Sequence, residues 1–352
     1  MNSFSEKLLF WYSSSARDLP WRHTKNPYKI WLSEVILQQT RVQQGSPYYE
    51  KFIAKFPSVK SLANAKEQDI LKIWQGLGYY SRARNLHCAA KQIVNQYGQN
   101  GFPRNYDELI LLKGVGKYTA SAIASIAFGE VKAVVDGNVY RVLSRFFGIH
   151  TPIDTTIGVK KFEELAQSLI SQEQPGNYNQ AVMELGALVC TPKKPKCDNC
   201  VLNQNCFSFE KKSADSLPVK SKKIKKLSRF FYYFDIRVSS KYLIKKRENN
   251  KDIWCGLYEL PLIETDKKIN GLPRVINIFC SKYGVEKNSI KTNGKIFHLK
   301  HVLTHQTIHA FFIRFSLTSP NQKLLEKYKV LGENSMKKYP FPRLLEKYFQ
   351  KK

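Results

Sequence analysis

Two carboxylates in this chain occupy positions where their chemistry could be directed. Glu34 lies inside an otherwise apolar stretch, between Trp31-Leu32 and Val35-Ile36-Leu37. An exposed glutamate on an amphipathic helix is the ordinary case. Facing a pocket instead, it would be desolvated, its pKa would rise and it could stay protonated near neutral pH. A general acid needs that property. Asp136 ends the apolar run Ala133-Val134-Val135 and directly precedes a helical pattern. That is an N-cap position, where the helix dipole favours the anion. One neutral carboxyl and one carboxylate are the pair that glycosidic cleavage uses. The sequence by itself does not bring them together.

A second constellation is metallic in character. Cys190, Cys197, Cys200 and Cys206 follow a C-x6-C-x2-C-x5-C spacing in a polar loop. Four thiolates within so short a segment normally enclose metal. A zinc knot is one option, although such sites often use two C-x-x-C pairs and only one close pair is present. Lys193, Lys194 and Lys196 between the first two cysteines could meet phosphates or form a solvated charged loop. Cys88, Cys255 and Cys280 are isolated and read as buried small hydrophobes.

Leu112-Lys113-Gly114-Val115-Gly116-Lys117 separates two helical patterns. A glycine pair there permits a tight turn with exposed backbone N–H groups, and the helix that follows turns its positive end outward. Together these could bind phosphate without sequence preference. An ordinary interhelical turn is the competing explanation.

The elements that must position these groups are helical as far as about residue 210. Apolar residues recur at helical spacing in Tyr28–Gln39, Pro47–Phe56, Ile70–Leu77, Ala83–Tyr97, Tyr106–Leu112, Tyr118–Ala127, Val139–Phe147 and Tyr178–Val189. No strand pattern interrupts them, so an all-α domain is expected over 1–210. Residues 211–228 read as a basic linker. Over 229–352 the pattern changes. Phe230–Val238 and Tyr242–Lys246 predict a hairpin across Ser239-Ser240-Lys241. Lys295–His301 and Thr307–Leu317 predict strands, and Val275–Tyr283, Gln322–Tyr328 and Arg343–Phe349 predict helices. The second domain is therefore expected to be α+β.

Charge follows the same division. The chain carries 57 Lys+Arg against 28 Asp+Glu, a formal net charge of +29. Residues 1–210 hold 25 basic and 17 acidic side chains, and residues 211–352 hold 32 and 11. Such a balance points to a polyanion, nucleic acid above all, or to a lysine-rich proteome. The start, MNSFSEKLLFWYSSSARD, does not read as a signal peptide, and no stretch approaches a membrane span. A cytoplasmic, nucleoid-associated monomer of bacterial type with no membrane partner is the expectation.

Taken together these segments resemble the MutY family of DNA glycosylases, within the helix–hairpin–helix iron–sulfur superfamily that includes endonuclease III. The resemblance runs from Leu19-Pro20-Trp21-Arg22 through Ser33-Glu34-Val35, Leu37-Gln38-Gln39-Thr40, Gly76-Leu77-Gly78-Tyr79-Tyr80, the glycine hairpin and Asp136-Gly137-Asn138-Val139 to the cysteine loop. It implies that the enzyme excises adenine lying opposite 8-oxoguanine or guanine in double-stranded DNA. Glu34 would protonate the base, Asp136 would stabilise the sugar cation, and Tyr118 and Asn138 would position these groups and the water. Trp21, Arg22 and Gln180 match adenine-pocket positions. Gln39 and Tyr79 match residues that wedge into the duplex when the base is flipped out. Gly114 and Gly116 match the hairpin of the motif, with Lys113 where the family commonly has Pro. The four cysteines would hold one [4Fe–4S] cluster. Bifunctional relatives carry a Schiff-base Lys at the position of Tyr118. A phenol cannot form that adduct, so a monofunctional enzyme is expected.

Residues 229–352 resemble the Nudix-like domain of the same family through Ile253-Trp254-Cys255-Gly256-Leu257-Tyr258-Glu259-Leu260-Pro261. A Nudix hydrolase would need clustered Glu residues to hold divalent metal. Glu259 and Glu264 are isolated, and Val275–Tyr283 contains no acid, so a recognition module is expected. Leu303-Thr304-His305 stands where the family reads the lesion with Phe-Ser-His, which makes Thr304 and His305 candidate lesion contacts. His298, His301, His305 and His309 lie close in sequence and are open to a zinc site or a basic groove. Two other functions compete: a related pyrimidine or thymine-mismatch glycosylase, and a non-catalytic iron–sulfur DNA-binding protein. Trp21, Arg22 and Gln180 argue against the first, and the presence of both Glu34 and Asp136 against the second.

Overall fold

The computed structural model describes residues 3–221, 226–238, 241–318 and 322–351. The chain divides into two compact units, Met1–Asn64 with Asn85–Lys222, and Ala65–Arg84 with Lys223–Lys352. Residues 65–84, expected with the helical domain, thus group with the C-terminal residues. Hydrogen bonds show why: Lys72 Nζ donates to the Tyr339 carbonyl, Gln68 to the Lys338 carbonyl and Arg84 to the Cys255 carbonyl.

In chain order the helices are α1 (Ser3–Ser15), α2 (Pro27–Leu37), α3 (Val42–Lys55), α4 (Val59–Ala63), α5 (Glu67–Trp74), α6 (Ser81–Tyr97), α7 (Tyr106–Leu109), α8 (Lys117–Phe128), α9 (Gly137–Phe147), α10 (Thr156–Leu169), α11 (Pro175–Leu188) and α12 (Phe207–Glu210). Among the described residues no strand precedes Leu227. The all-α expectation holds, although α1, α4 and α10 carried no clear signal.

Local chemistry sets the ends. Asn26 accepts from the Lys29 N–H at 3.2 Å, and Pro27 starts α2, where its missing N–H costs nothing. That helix stops at Leu37, short of the expected Gln39, because Gln39 adopts a left-handed φ of +56°. In the core of this unit α8 packs against α2, α7 and α11, and α11 also packs against α1 and α9. Trp31, Leu32, Phe52, Ile123 and Leu185 are buried there.

The other unit is built on strands β1 (Leu227–Val238), β2 (Lys241–Lys246), β3 (Tyr258–Glu259), β4 (Leu262–Thr265), β5 (Ile290–Val302), β6 (Gln306–Leu317) and β7 (Lys329–Leu331). The sheet order is β3-β2-β1-β6-β5, with β4 beside β1 and β7 beside β2. β1 and β6 run parallel in register from Leu227↔Gln306 to Arg237↔Ser316. β5 and β6 form an antiparallel hairpin over the Leu303-Thr304-His305 turn. The predicted β1–β2 pairing is present, while its turn residues Ser239 and Ser240 lie outside the described residues. Residues 231–236 of β1 are all buried because both faces are covered. On one face Tyr232, Phe234 and Phe315 meet Val275, Phe279 and Tyr283 of α13 (Leu272–Tyr283). On the other, Phe312 stacks between Tyr233 at 5.2 Å and Tyr348 at 4.0 Å. Three short helices complete the unit: α14 (Gln322–Lys327), α15 (Glu333–Met336) and α16 (Arg343–Gln350), which carries Tyr348.

Candidate active site and nucleic-acid interface

A cavity of about 480 Å³ opens in the helical unit. Trp21, Arg22, Glu34, Tyr118, Asp136, Asn138 and Gln180 all line it, so the two carboxylates and the five residues named by the family resemblance converge on one space. Its volume falls in the range of small-molecule sites.

Glu34 projects from α2 and is buried. Tyr118, in the first turn of α8, donates its phenol proton to Glu34 Oε2 at 2.6 Å and lies 3.3 Å from Met183 Sδ. Burial pushes the Glu34 carboxyl up to about 7. The Tyr118 hydrogen bond and Arg22 work against that rise, and the charge of Asp136 adds to it. The phenol itself is raised well above its usual value by burial and the two nearby carboxylates. A carboxyl poised near 7 exchanges a proton readily at neutral pH.

Asp136 caps α9. It accepts from the Asn138 N–H at 2.9 Å, the Val139 N–H at 2.8 Å and Asn138 Nδ2 at 2.8 Å. Here the structure corrects the sequence-based argument. Burial outweighs these donors and Arg141, so the net displacement of the Asp136 pKa is upward. The donors converge on the carboxylate form and limit that rise.

Arg141 went unremarked in the sequence. Its Nη2 donates to Asn138 Oδ1 at 2.8 Å and to the Gly186 carbonyl at 2.7 Å, and its Nε donates to the Cys190 carbonyl at 2.6 Å. One guanidinium therefore joins the first cysteine of the loop to Asn138, and Asn138 to Asp136. Gly186 makes the approach possible: a Cβ there would stand 2.6 Å from Asn138 Cβ. Glu184 was also missed. It is buried beside Arg22 and takes bidentate hydrogen bonds from both Arg17 and Arg22, which hold its carboxyl down to about 2 although burial opposes them. A helical glutamate on α11 gives no sequence cue to distant arginines.

In the cysteine loop the four side chains are partly buried. Burial, followed by the neighbouring cysteines, raises the Cys197 thiol, and burial brings Cys200 up to about 11. Arg145, itself buried, reaches Cys190 Sγ at 3.4 Å and the Thr191 carbonyl at 2.7 Å. Soft sulfur donors close enough to interact, with a fixed cation beside one of them, suit an iron–sulfur group. Among the described residues no three His, Cys, Asp or Glu side chains are gathered around a single ion position. Among the histidines, His298 stacks with His309 and Phe311, while His301 lies against Trp254. Cys88 is exposed on α6, contrary to the expectation that it is buried, because it faces away from the helix packing.

Gly114 in the hairpin has φ +79°, and a Cβ there would lie 2.5 Å from Asn85 Cβ. Gly116 caps α8 without a side-chain hydrogen bond. In the other unit, Tyr79 has a left-handed φ of +46° and its hydroxyl is hydrogen-bonded to Thr304 Oγ1. Tyr79, Trp254, Leu303, Thr304 and His305 line a cavity of about 500 Å³. Glu259 is ion-paired with Arg247 at 2.8 Å and Glu264 with Arg229. These two acids are committed to structure.

Comparison with known proteins places this geometry. Residues 32–171 match the HhH-GPD superfamily of base excision DNA repair proteins, residues 190–206 the iron-sulfur binding domain of endonuclease III, and residues 232–351 the NUDIX domain. An adenine DNA glycosylase of Buchnera aphidicola subsp. Schizaphis graminum is 35% identical over 90% of this chain and 88% of its own. The chain belongs to the adenine DNA glycosylase family. It is accordingly a DNA glycosylase, with a helix–hairpin–helix domain, an iron–sulfur loop and a Nudix-like domain. The adenine DNA glycosylase of Mus musculus is 43% identical over 60% of this chain and 42% of its own. Among solved structures, a thermostable thymine-DNA glycosylase superposes with a TM-score of 0.55 and 33% identity, over 59% of this chain and 95% of that one. No helix among the described residues is long and apolar enough to cross a membrane.

Proposed function

We propose that this glycosylase removes adenine paired with 8-oxoguanine or guanine in double-stranded DNA, by hydrolysing the N-glycosidic bond and leaving the strand intact. The observation that carries the reading is the convergence of the raised Glu34 carboxyl, bonded by Tyr118, with the N-cap carboxylate Asp136 in one cavity.

The flipped adenine enters between Trp21, Arg22 and Gln180. Glu34 gives its proton to a ring nitrogen of the base. The bond to the sugar then breaks with its electron pair leaving on adenine, now a neutral leaving group. The oxocarbenium ion that remains faces Asp136, held in place by Asn138. Water adds to the sugar carbon and gives its proton to the Glu34 carboxylate, which restores the acid. Tyr118 orients Glu34 and offers no amine, so no Schiff base forms and no strand is cut.

The backbone around Gly114 and Gly116 would hold a DNA phosphate. Gln39 and Tyr79 each adopt a left-handed conformation that residues other than glycine seldom take, and each would wedge into the duplex when adenine is flipped out. Thr304 and His305 would read the opposing base. Cys190, Cys197, Cys200 and Cys206 would hold one [4Fe–4S] cluster, whose contribution when bound is to close the loop on which Arg141 rests. A monomer suffices, since one chain completes the cavity. The test is a base-release assay on duplexes carrying adenine opposite 8-oxoguanine, guanine or cytosine. Release is expected on the first two. Release of thymine opposite guanine, with adenine untouched, would favour a thymine-type enzyme like the solved neighbour.

A further inference from the structure

Residues 130–135 carry no regular secondary structure, yet they deliver Asp136 to the cavity. Side-chain amides bond this backbone on both edges. Gln167, on α10, accepts from the Ala133 N–H at 3.0 Å and donates to the Val131 carbonyl at 2.9 Å. Asn179, on α11, accepts from the Val134 N–H at 3.1 Å and donates to the Lys132 carbonyl at 2.8 Å. Its remaining amide hydrogen goes to Ser125 Oγ on α8, at 2.8 Å. In a strand the C=O of one residue and the N–H of the residue two further on share an edge, and the next such pair takes the opposite edge. Gln167 occupies one of these edge sites and Asn179 the other. Each amide takes the place of a neighbouring strand, and only one amide orientation satisfies each pair of contacts.

The two amides differ in surroundings. Asn179 is fully buried, and its loss would strand several polar groups. Gln167 is exposed, so water can satisfy the backbone groups that its removal frees. Neither residue lines the cavity that holds Glu34 and Asp136.

We propose that Gln167 and Asn179 are positioning residues for base release: as paired amide splints they fix residues 131–134, and through them the Asp136 carboxylate, relative to the sugar. This rests on the reading of Asp136 as the group that faces the sugar cation. A displacement of about 1 Å at such a group can cost on the order of a hundredfold in rate. The effect therefore falls on the chemical step, not on DNA binding.

The test uses the full-length holoprotein. Single-turnover adenine release is measured for Gln167→Leu, Gln167→Glu and Asn179→Asp, with affinity for a duplex whose 2′-fluorinated adenosine resists cleavage. Gln167→Leu is expected to slow release about tenfold, with affinity within about twofold and the melting temperature nearly unchanged. Gln167→Glu keeps the acceptor for Ala133 and loses the donor, so it should fall between Leu and wild type. The acid limb of the rate–pH profile should move to higher pH in Gln167→Leu. Loosening the cap weakens the Asn138 and Val139 donors that lower the Asp136 pKa, while Glu34, Tyr118 and Arg141 stay in place. Asn179→Asp keeps an acceptor for Val134 and loses both donors, and should be slower still. A wild-type rate and profile in Gln167→Leu, beside an inactive Asp136→Asn, would overturn the proposal alone. A wild-type rate in Asp136→Asn would remove the reading beneath it. Equal losses of rate, affinity and melting temperature in Gln167→Leu would reduce the residue to a structural role and overturn the proposal as well.

Discussion

Tyr118 Oη donates to Glu34 Oε2 across 2.6 Å, joining α8 to the middle of α2. The bond favours the ionised carboxyl, and burial favours the neutral one. Their balance sets how far Glu34 is protonated near neutral pH. In Tyr118→Phe the donor is lost and burial acts unopposed at that oxygen, so the Glu34 pKa should rise. The alkaline limb of the rate–pH profile is expected to move upward, with a lower maximal rate from poorer orientation. A profile superimposable on wild type would show that the phenol does not tune Glu34.

Glu34→Gln should abolish base release and leave duplex binding within about twofold, because an amide keeps the shape and delivers no proton. It should also stabilise the fold at alkaline pH. The folded pKa, about 7, lies above the unfolded value, so the native state gains from this group below the unfolded pKa and loses that gain as pH rises through 7. Thermal melts at pH 8 should therefore favour Glu34→Gln, by at most about 3 kcal/mol, and the difference should vanish near pH 4. Melts that coincide at both pH values would mean that Glu34 is solvated.

Wild-type enzyme should leave an intact abasic strand until hot alkali is applied. Tyr118→Lys places an amine beside the sugar and is expected to yield some borohydride-trapped complex with DNA. Efficient trapping by wild type would contradict the monofunctional reading.

Anaerobically purified protein should contain about four irons per chain with matching sulfide. Arg141→Ala should then lower the base-release rate more than the iron content, because Arg141 bonds Asn138 as well as the Cys190 carbonyl. Zinc without iron would remove the cluster assignment.

Thr304→Ala combined with His305→Ala should reduce the preference for 8-oxoguanine over guanine opposite adenine. A good base-edge contact is worth on the order of 1–3 kcal/mol, so the ratio of single-turnover rates should fall at least several-fold. An unchanged ratio would place lesion reading elsewhere, with Trp254 in the same cavity the next residue to vary.

The sequence was most informative where one residue type answers one local demand. Asp136 before a helical pattern announced its own cap, and Gly114 its own turn. Glu34 was conspicuous as a single charge in an apolar helix. What stayed hidden depends on partners distant in the chain. Glu184 is unremarkable until Arg17 and Arg22 fold against it. Gln167 and Asn179 act through backbone groups that no periodicity reveals, and α10 itself was missed. Strands β3, β4 and β7 are two to four residues long, too short for an alternating pattern to register. Burial likewise upset the simple dipole argument at Asp136, because depth is a property of the packed unit.

The parallel pairing of β1 with β6 has a consequence for biosynthesis. β1 carries Arg229-Phe230-Phe231-Tyr232-Tyr233-Phe234, and its longest partner is β6. During translation this aromatic strand leaves the ribosome well before β6 exists, because β2 to β5 must be made first. Non-local pairing of this kind forms slowly. An unsatisfied aromatic strand with few charges is a template for self-association. Immediately upstream stand Lys220, Lys222, Lys223, Lys225 and Lys226, and Arg237 lies near the downstream end. Charges flanking such a strand act as gatekeepers against aggregation. Neutralising the five lysines should therefore lower the soluble yield of newly made chains, independently of any effect on DNA.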